Sequence, residues 1–222
     1  MKKITALLLT LVLIAATAGC GRASGKEAAA STPEPTPEPT ATPPPHEPTV
    51  GLIIANQQFN YDEYAKCRVL FTLDGYQIIT ASQQNTTAVS MDGQEAEVNA
   101  AISELNADAV DALIVIGGSG ATALYGDTTL KSLIQGVYAD GKPVGAICLA
   151  PVTLAEAGLL SGKDATVYPD ETAIAALEDG GATYIDDSDV VTDGIIVTAN
   201  GPEAADEFAV SVQNLLGGDT MP

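Results

Sequence analysis

Short apolar runs alternate with amphipathic stretches along most of the chain. The apolar runs span Val50 to Ala55, Gln77 to Ala81, Ala112 to Ile116, Val144 to Ile147 and Gly194 to Thr198. Continuous apolar runs of this length predict strands that are buried on both faces. The amphipathic stretches predict helices, which span Tyr61 to Leu73, Thr128 to Ala139, Pro151 to Ala157 and Pro202 to Leu216.

The alternation of these elements predicts an α/β fold. Strands that alternate with helices usually form a parallel sheet with helices on both faces. Asp92-Gly93 lies between two short β-prone runs, so the segment from Thr86 to Glu97 is predicted to form a small hairpin. We therefore expect one domain over residues 49–222, built around a mostly parallel central sheet.

The chain begins with a segment typical of an export signal. A basic start precedes an apolar run from Ile4 to Ala16, which is shorter than the roughly 20 residues of a membrane-spanning helix. The sequence Thr17-Ala18-Gly19-Cys20 follows and resembles a bacterial lipobox. We expect residues 1–19 to be a signal peptide and Cys20 to carry a lipid, which would anchor the protein at the extracytoplasmic face of the cell membrane. The alternative is a plain secretory signal with a chance cysteine.

Residues 20–48 have the composition of a spacer. They are rich in Ala, Ser, Thr, Glu and Pro, and they contain two consecutive Pro-Glu-Pro-Thr units. Such a segment buries little apolar surface and favours extended conformations, so it predicts a semi-rigid linker. A ligand for a proline-recognising module is the alternative. His46, the only histidine of the chain, lies in this linker and is expected to be solvated and inert.

The predicted domain is strongly acidic. After residue 50 there are 25 acidic residues and five basic ones, so the whole net charge of −20 belongs to this part. A surface of this sign repels phosphate backbones, which excludes nucleic acid as an expected partner. No Asp-x-Asp-x-Asp-Gly loop indicates a calcium site, and we expect no bound metal.

Cys148 lies where a predicted strand turns into a predicted helix, in the sequence KPVGAICLAPVTLAEAGLL. A side chain on such a turn lies at the carboxyl edge of the sheet, beside the free N–H groups of the next helix. Those groups favour a thiolate and lower a cysteine pKa from its usual value of about 8.5. We therefore expect Cys148 to be accessible, thiolate-prone and a candidate nucleophile or redox centre.

A glycine-rich turn follows the strand from Ala112 to Ile116. Its sequence, Gly118-Ser119-Gly120-Ala121-Thr122-Ala123, fits the dinucleotide fingerprint formally, but it follows a middle strand and no acidic residue ends the next strand. We expect no cofactor. The better interpretation is that Gly117 and Gly118 bring backbone N–H groups to the Cys148 strand, where those of Gly118 and Leu149 form an oxyanion pocket.

Three segments carry a family resemblance: ALIVIGGSGA from Ala112, AICLAPVTLAEAGLLSGKDATVYP from Ala146, and VVTDGIIVTANGPEAADEF from Val190. In this order they resemble the DJ-1/PfpI superfamily, which is class I glutamine amidotransferase-like. The resemblance implies a flavodoxin-like three-layer sandwich, a homodimer, and Cys148 as the elbow cysteine. Members include proteases, deglycases or glyoxalases and redox sensors, so the family alone does not choose a function.

The chain departs from the family at the positions that usually assist the cysteine. Leu149 replaces the histidine that directly follows the elbow in protease-like members, and Tyr168 stands where other members have a histidine. Asn60 aligns with a glutamate that often hydrogen-bonds the cysteine, and Asp62 or Glu63 takes that place if the alignment shifts. Because the domain has no histidine, a Cys-His dyad cannot form.

Three roles for Cys148 remain open. It is a nucleophile for aldehyde or acyl substrates, including those of a hydrolase or peptidase, with Glu63 or Asp62 moving protons. Alternatively, it is a thiol that reacts with small electrophiles or oxidants, or part of a scaffold that binds a ligand or partner without turnover. Cys67, on the first predicted helix, is expected to be a buried inert thiol, with a disulfide to Cys148 as the alternative.

Overall fold

The computed structural model describes residues 48–217. The strands are β1 (Thr49–Ile53), β2 (Gln57–Phe59), β3 (Gln77–Ser82), β4 (Ala88–Ser90), β5 (Glu95–Ala96), β6 (Ala100–Ala101), β7 (Ala112–Val115), β8 (Val144–Ile147), β9 (Asp164–Ala165), β10 (Thr183–Tyr184), β11 (Val190–Asp193) and β12 (Ile196–Ala199). The helices are α1 (Tyr61–Leu73), α2 (Thr128–Ala139), α3 (Pro151–Glu156), α4 (Glu171–Asp179) and α5 (Ala205–Leu216).

Seven strands form the central sheet, in the order β11-β12-β8-β7-β1-β3-β6. All neighbouring pairs are parallel except β11 and β12, which form an antiparallel pair at one edge. Buried residues of α1 and α5 pack on one face of the sheet, and those of α2, α3 and α4 pack on the other. The predicted α/β fold, a three-layer sandwich with a mostly parallel sheet, is confirmed.

Most predicted elements lie where the hydrophobic pattern places them. Helices α1 and α2 and strand β8 have the predicted bounds, and β4 and β5 form the predicted hairpin. The closing helix begins at Ala205 because Pro202–Ala204 form a 3₁₀ turn. Helix α4 and the two-residue strands β9 and β10 were not predicted.

The predicted signal peptide, Cys20 and all but the last residue of the predicted linker, including His46, lie outside the described residues. Between residues 48 and 217, no helix has both the length and the apolar character that a membrane crossing requires. The fold places the carboxyl ends of β1, β7 and β8 side by side, and the candidate site lies at this edge.

Candidate active site

Cys148 forms a strained turn between β8 and α3. Its backbone has φ +61°, in the left-handed region that non-glycine residues rarely adopt. The Cys148 N–H donates to Ala199 O at 2.9 Å, and the Cys148 carbonyl accepts the Tyr168 N–H at 2.9 Å. These two bonds hold the strained residue from both sides, so its side chain projects at the carboxyl edge of the sheet.

Glu63 lies in the first turn of α1 and is fully buried. The Asn60 side chain caps this helix by accepting the N–H groups of Asp62 and Glu63, which directs the Glu63 carboxyl towards the elbow. Glu63 Oε2 accepts the Gly117 N–H at 2.9 Å, and the carboxyl interacts with the Cys148 thiol. Glu63 Oε1 is buried, and no residue between 48 and 217 donates a hydrogen bond to it.

The two side chains have strongly perturbed proton affinities. Burial raises the pKa of Glu63 to about 7, although the Gly117 N–H opposes this change. Burial and then the Glu63 charge raise the pKa of Cys148 to about 11. Once Glu63 has ionised, its carboxylate therefore lies beside a Cys148 thiol that is still protonated.

The expectation of an accessible, thiolate-prone Cys148 is wrong. The residue is only 7% exposed, and its pKa is raised rather than lowered. The Gly118 and Leu149 N–H groups do lower the pKa of the Cys148 thiol, but burial and the Glu63 charge outweigh them.

Gly118 and Leu149 both direct their N–H groups at the Cys148 sulfur. Gly118 has φ +96°, and a Cβ on it would lie 2.6 Å from Gln58 O, so only glycine fits this turn. Gly117, which was expected in the same pocket, instead uses its N–H for Glu63. Two N–H groups thus remain for a developing oxyanion.

The remaining predicted residues lie around this centre in other roles. Asp62 is exposed and pairs with Lys66 at 2.9 Å, away from the thiol. Asn60 caps α1, and its own N–H donates to Gly117 O at 3.0 Å, so Glu63 and not Asn60 occupies the place beside the cysteine. Tyr168 is 46% exposed, and its backbone N–H binds the Cys148 carbonyl.

Two further residues near the site were not predicted from the sequence. The Tyr125 hydroxyl donates to Leu149 O at 2.8 Å, and Met91 Sδ accepts the Ser119 N–H at 3.4 Å. Each lies in a turn or at the end of a short element, where no periodic pattern marks it. Their contacts steady the two backbone segments that carry the oxyanion N–H groups.

Cys67 is fully buried on α1, and both it and Cys148 are free thiols. Burial, followed by the charge of Glu63, raises the pKa of Cys67 far above its ordinary value. The predicted buried thiol at this position is confirmed. Among residues 48–217, no group of three or more His, Cys, Asp or Glu side chains is arranged to hold a metal ion.

Known proteins share this arrangement of elements. The chain is 37% identical to an uncharacterized protein of Methanocaldococcus jannaschii over 162 residues, which cover 72% of this chain and 78% of the relative. A protein named as a deglycase, from Pyrococcus horikoshii, is 30% identical over 61% of this chain and 79% of its own. The crystal structure of a ThiJ/PfpI domain protein from Brachyspira murdochii matches with a TM-score of 0.73 at 27% identity, covering 77% of this chain and 96% of that one.

The profile of the DJ-1/PfpI family matches residues 49–214, which include α1, the glycine turn and the strained cysteine. The match therefore extends over the whole sheet, and the site residues lie within it. Together with the fold and the relatives, it establishes that the chain belongs to the DJ-1/PfpI family.

Proposed function

We propose that this protein is a cysteine-dependent enzyme that converts small reactive carbonyl compounds, in the manner of a glyoxalase or deglycase. Cys148 is the nucleophile, and Glu63 moves the protons. The observation that carries this proposal is the buried Glu63 carboxyl, which interacts with the protonated Cys148 thiol and whose Oε1 has no hydrogen-bond partner among the described residues. A carboxyl whose pKa is about 7 accepts and returns protons readily at neutral pH.

The first step is addition of the thiol to an aldehyde carbon. The S–H bond breaks as the Sγ–C bond forms, and the proton goes to Glu63 Oε1. The carbonyl electron pair moves onto the aldehyde oxygen, which is stabilised by the N–H groups of Gly118 and Leu149. Glu63 then returns the proton to that oxygen, which yields a neutral hemithioacetal.

For a 2-oxoaldehyde, isomerisation and hydrolysis follow. Glu63 takes the proton from the sulfur-bearing carbon, and the net change moves one hydrogen from C1 to C2 and one proton from the C1 oxygen to the C2 oxygen. The resulting thioester is hydrolysed by water to a 2-hydroxy acid, which restores the Cys148 thiol. One carbon is oxidised while its neighbour is reduced, so the reaction needs no external oxidant or reductant.

The state of the thiol favours this chemistry over a role as an oxidant sensor. A sensor cysteine needs an exposed thiolate, whereas Cys148 is 7% exposed and burial contributes to a pKa of about 11. A thiol that loses its proton only to an adjacent carboxylate reacts with a bound substrate more readily than with a passing oxidant.

The test is turnover of methylglyoxal by the full chain, with the product identified by NMR. We expect formation of lactate, no turnover by Cys148→Ala, and about a hundredfold lower kcat/KM in Glu63→Gln. Asp62→Asn is the matched control because Asp62 is the neighbouring acid but points away to Lys66. Turnover by Cys148→Ala, or equal losses in Asp62→Asn and Glu63→Gln, would overturn the proposal.

We further propose that the protein works outside the cytoplasm, anchored through a lipid on Cys20. The lipobox-like sequence before Cys20 and the proline-rich linker support this location. Metabolic labelling with palmitate and membrane fractionation test it. Cys20→Ala should lose the label and leave the membrane fraction, and a labelled Cys20→Ala protein would contradict the anchor.

A homodimer is the expected assembly, since homodimers are common in this family. Two exposed apolar side chains on α1, Val69 and Leu73, are 55% and 80% exposed and support an interface on this face. Light scattering across working concentrations measures the mass. A monomer under all conditions, or a dimer that Leu73→Asp leaves unchanged, would argue against an interface at α1.

A further inference from the structure

Met91 is the most exposed sulfur-containing residue between positions 48 and 217. The others in this part of the chain are Cys67 and Cys148. Met91 is 42% exposed, whereas Cys148 is 7% exposed and Cys67 is fully buried. A thioether has no proton to lose before it reacts with an oxidant, so its oxidation depends on access and not on a pKa. An oxidant that approaches the folded domain therefore meets Met91 before either thiol.

Met91 connects the hairpin to the glycine turn of the site. It lies in the turn between β4 and β5, and its N–H donates to Phe59 O of β2 at 3.0 Å. Its Sδ accepts the Ser119 N–H at 3.4 Å. Ser119 directly follows Gly118, whose N–H is directed at the Cys148 sulfur. The exposed sulfur is thus one residue away from an oxyanion donor.

The contact between Met91 and Ser119 has no room for an added oxygen. The sulfur is a weak acceptor and lies 3.4 Å from the Ser119 nitrogen. A sulfoxide oxygen that accepted the same N–H would itself lie about 2.9 Å from that nitrogen, with the sulfur a further S–O bond away. If the oxygen pointed to solvent instead, a partly positive sulfur would face the N–H. Either arrangement breaks the present contact.

We propose that Met91 is an oxidation site through which hydroperoxides reversibly lower the activity of this enzyme. The Met91 sulfur attacks the distal oxygen of the hydroperoxide, and the O–O bond breaks as the S–O bond forms. The leaving oxygen takes the proton of the transferred oxygen and departs as water or an alcohol. Sulfur loses two electrons and the peroxide gains them. The inference rests on the proposed function, because the activity that falls is turnover at Cys148.

The expected loss of activity is partial. Gly118 stays packed against Gln58 and Phe59 of β2, so the oxyanion N–H shifts but is not removed. Removal of a whole oxyanion donor costs about a hundredfold or more in kcat, and we therefore expect about a tenfold loss from its displacement.

The test oxidises the full chain with hydrogen peroxide at pH 5, where the Cys148 thiol is protonated. Mass spectrometry measures the sulfoxide at Met91 and checks that Cys148 is unmodified. Once peroxide is removed, kcat/KM for methylglyoxal at neutral pH should be about tenfold lower. Treatment with the two methionine sulfoxide reductases, one for each epimer, should restore it. Recovery of this kind distinguishes a reversible modification from loss of the fold.

Met91→Leu and Met221→Leu are the matched variants, and each is compared with itself before oxidation. Met91→Leu should lose no activity on treatment. Met221→Leu removes a methionine outside the described residues and should respond like the unaltered protein. An equal loss in Met91→Leu would assign the effect to another group. A Met91 that stays unoxidised in the folded protein, or complete sulfoxide formation with unchanged turnover, would also overturn the proposal.

A readout without turnover separates this inference from the proposed function. Amide NMR of the Cys148→Ala protein follows Gly118 and Ser119 before and after oxidation. Both resonances should shift, the Ser119 amide should exchange faster with solvent, and the reductases should reverse these changes. If this occurs in a protein whose unaltered form does not convert methylglyoxal, the proposed function alone fails. If methylglyoxal is converted but oxidation leaves both amides unchanged, the inference about Met91 alone fails.

Discussion

The Glu63 carboxyl on α1 is buried against the Cys148 thiol at the end of β8, and the Gly117 N–H binds the same carboxyl. This arrangement favours one negative charge in the pair and disfavours two. The Glu63 charge contributes to the raised pKa of Cys148, so the carboxylate and the protonated thiol occur together. Reactivity therefore depends on proton transfer between the two residues.

The pH dependence of turnover follows from this pair. Glu63 must be ionised to accept the thiol proton, and burial raises its pKa to about 7. We expect kcat/KM for methylglyoxal to rise as pH increases through about 7 and to level off above it. The rate in Glu63→Gln should be low and should lack this rise. A rise that persists in Glu63→Gln would assign the titration to another group.

Alkylation of Cys148 should respond to the loss of the Glu63 charge in the direction opposite to turnover. The Glu63 charge raises the pKa of the Cys148 thiol, and Glu63→Gln removes that charge while its amide can donate to sulfur. At pH 8 we therefore expect iodoacetamide to modify Cys148 faster in Glu63→Gln than in the unaltered protein. Mass spectrometry of the Cys148 peptide measures the rate without interference from the other cysteines.

The control for this experiment is Asp62→Asn, which removes one charge from the same helix turn without touching the thiol. Its alkylation rate should match that of the unaltered protein. Slower alkylation in Glu63→Gln would mean that the carboxylate assists thiol ionisation in the resting protein, in conflict with the electrostatics of the pair.

Protein stability should fall as Glu63 ionises. Its pKa is about 7 in the folded state against an ordinary 4.5, so the folded protein binds more protons than the unfolded chain between these values. The penalty is absent below 4.5 and complete above about 7, where it amounts to about 3 kcal/mol. Urea unfolding should show Glu63→Gln to be more stable than the unaltered protein at pH 8.

At pH 4.5 the difference between the two proteins should shrink, because Glu63 is then protonated in the folded state and half protonated in the unfolded chain, so keeping it neutral costs little. Equal stability differences at pH 4.5 and pH 8 would show that the substitution acts through packing. The comparison therefore measures the buried charge and not the size of the side chain.

The hydrophobic pattern predicts the fold well because buried parallel strands and amphipathic helices have distinct periods. Val144–Ile147 illustrates this, since all four residues are buried in β8 as the continuous apolar run predicts. The pattern does not predict which acid meets the cysteine. Which acid lies beside Cys148 depends on the path of the chain through β2, where Gln58 has φ +61°. An irregular path of this kind leaves no periodic signal in the sequence.

The position of Cys148 could be predicted, but its proton affinity could not. The strand-to-helix turn is visible in the sequence, as is Gly118, which supplies an oxyanion N–H. The pKa of the thiol depends on burial by elements far away in the chain and on Glu63. Local sequence favours a thiolate through N–H groups, and tertiary packing reverses that preference.

Cys67→Ala should leave turnover unchanged. Cys67 is fully buried on α1 and has no part in the proposed proton transfers, so the loss of its sulfur affects packing alone. We expect a free energy of unfolding lower by about 1–2 kcal/mol, as for a small cavity. Parallel measurement of kcat/KM and urea unfolding separates the two effects, and a tenfold loss of turnover without loss of stability would assign Cys67 a functional role.

Gly118→Ala tests the packing of the glycine turn against β2. A Cβ on Gly118 would lie 2.6 Å from Gln58 O and 2.7 Å from the carbonyl carbon of Phe59, and φ +96° is itself strained for alanine. Backbone atoms cannot move aside cheaply, so we expect a loss of more than about 2 kcal/mol in the free energy of unfolding. The displaced Gly118 N–H should also lower turnover of methylglyoxal.

Gly126→Ala is the matched control for that substitution. Gly126 also has a left-handed backbone, with φ +70°, but a Cβ there would meet no atom within 4 Å. Its cost is the backbone strain alone, about 1 kcal/mol. The difference between the two variants in urea unfolding therefore isolates the contact between the glycine turn and β2. Equal losses would mean that β2 shifts freely, in which case the oxyanion N–H of Gly118 would not be held in place by packing.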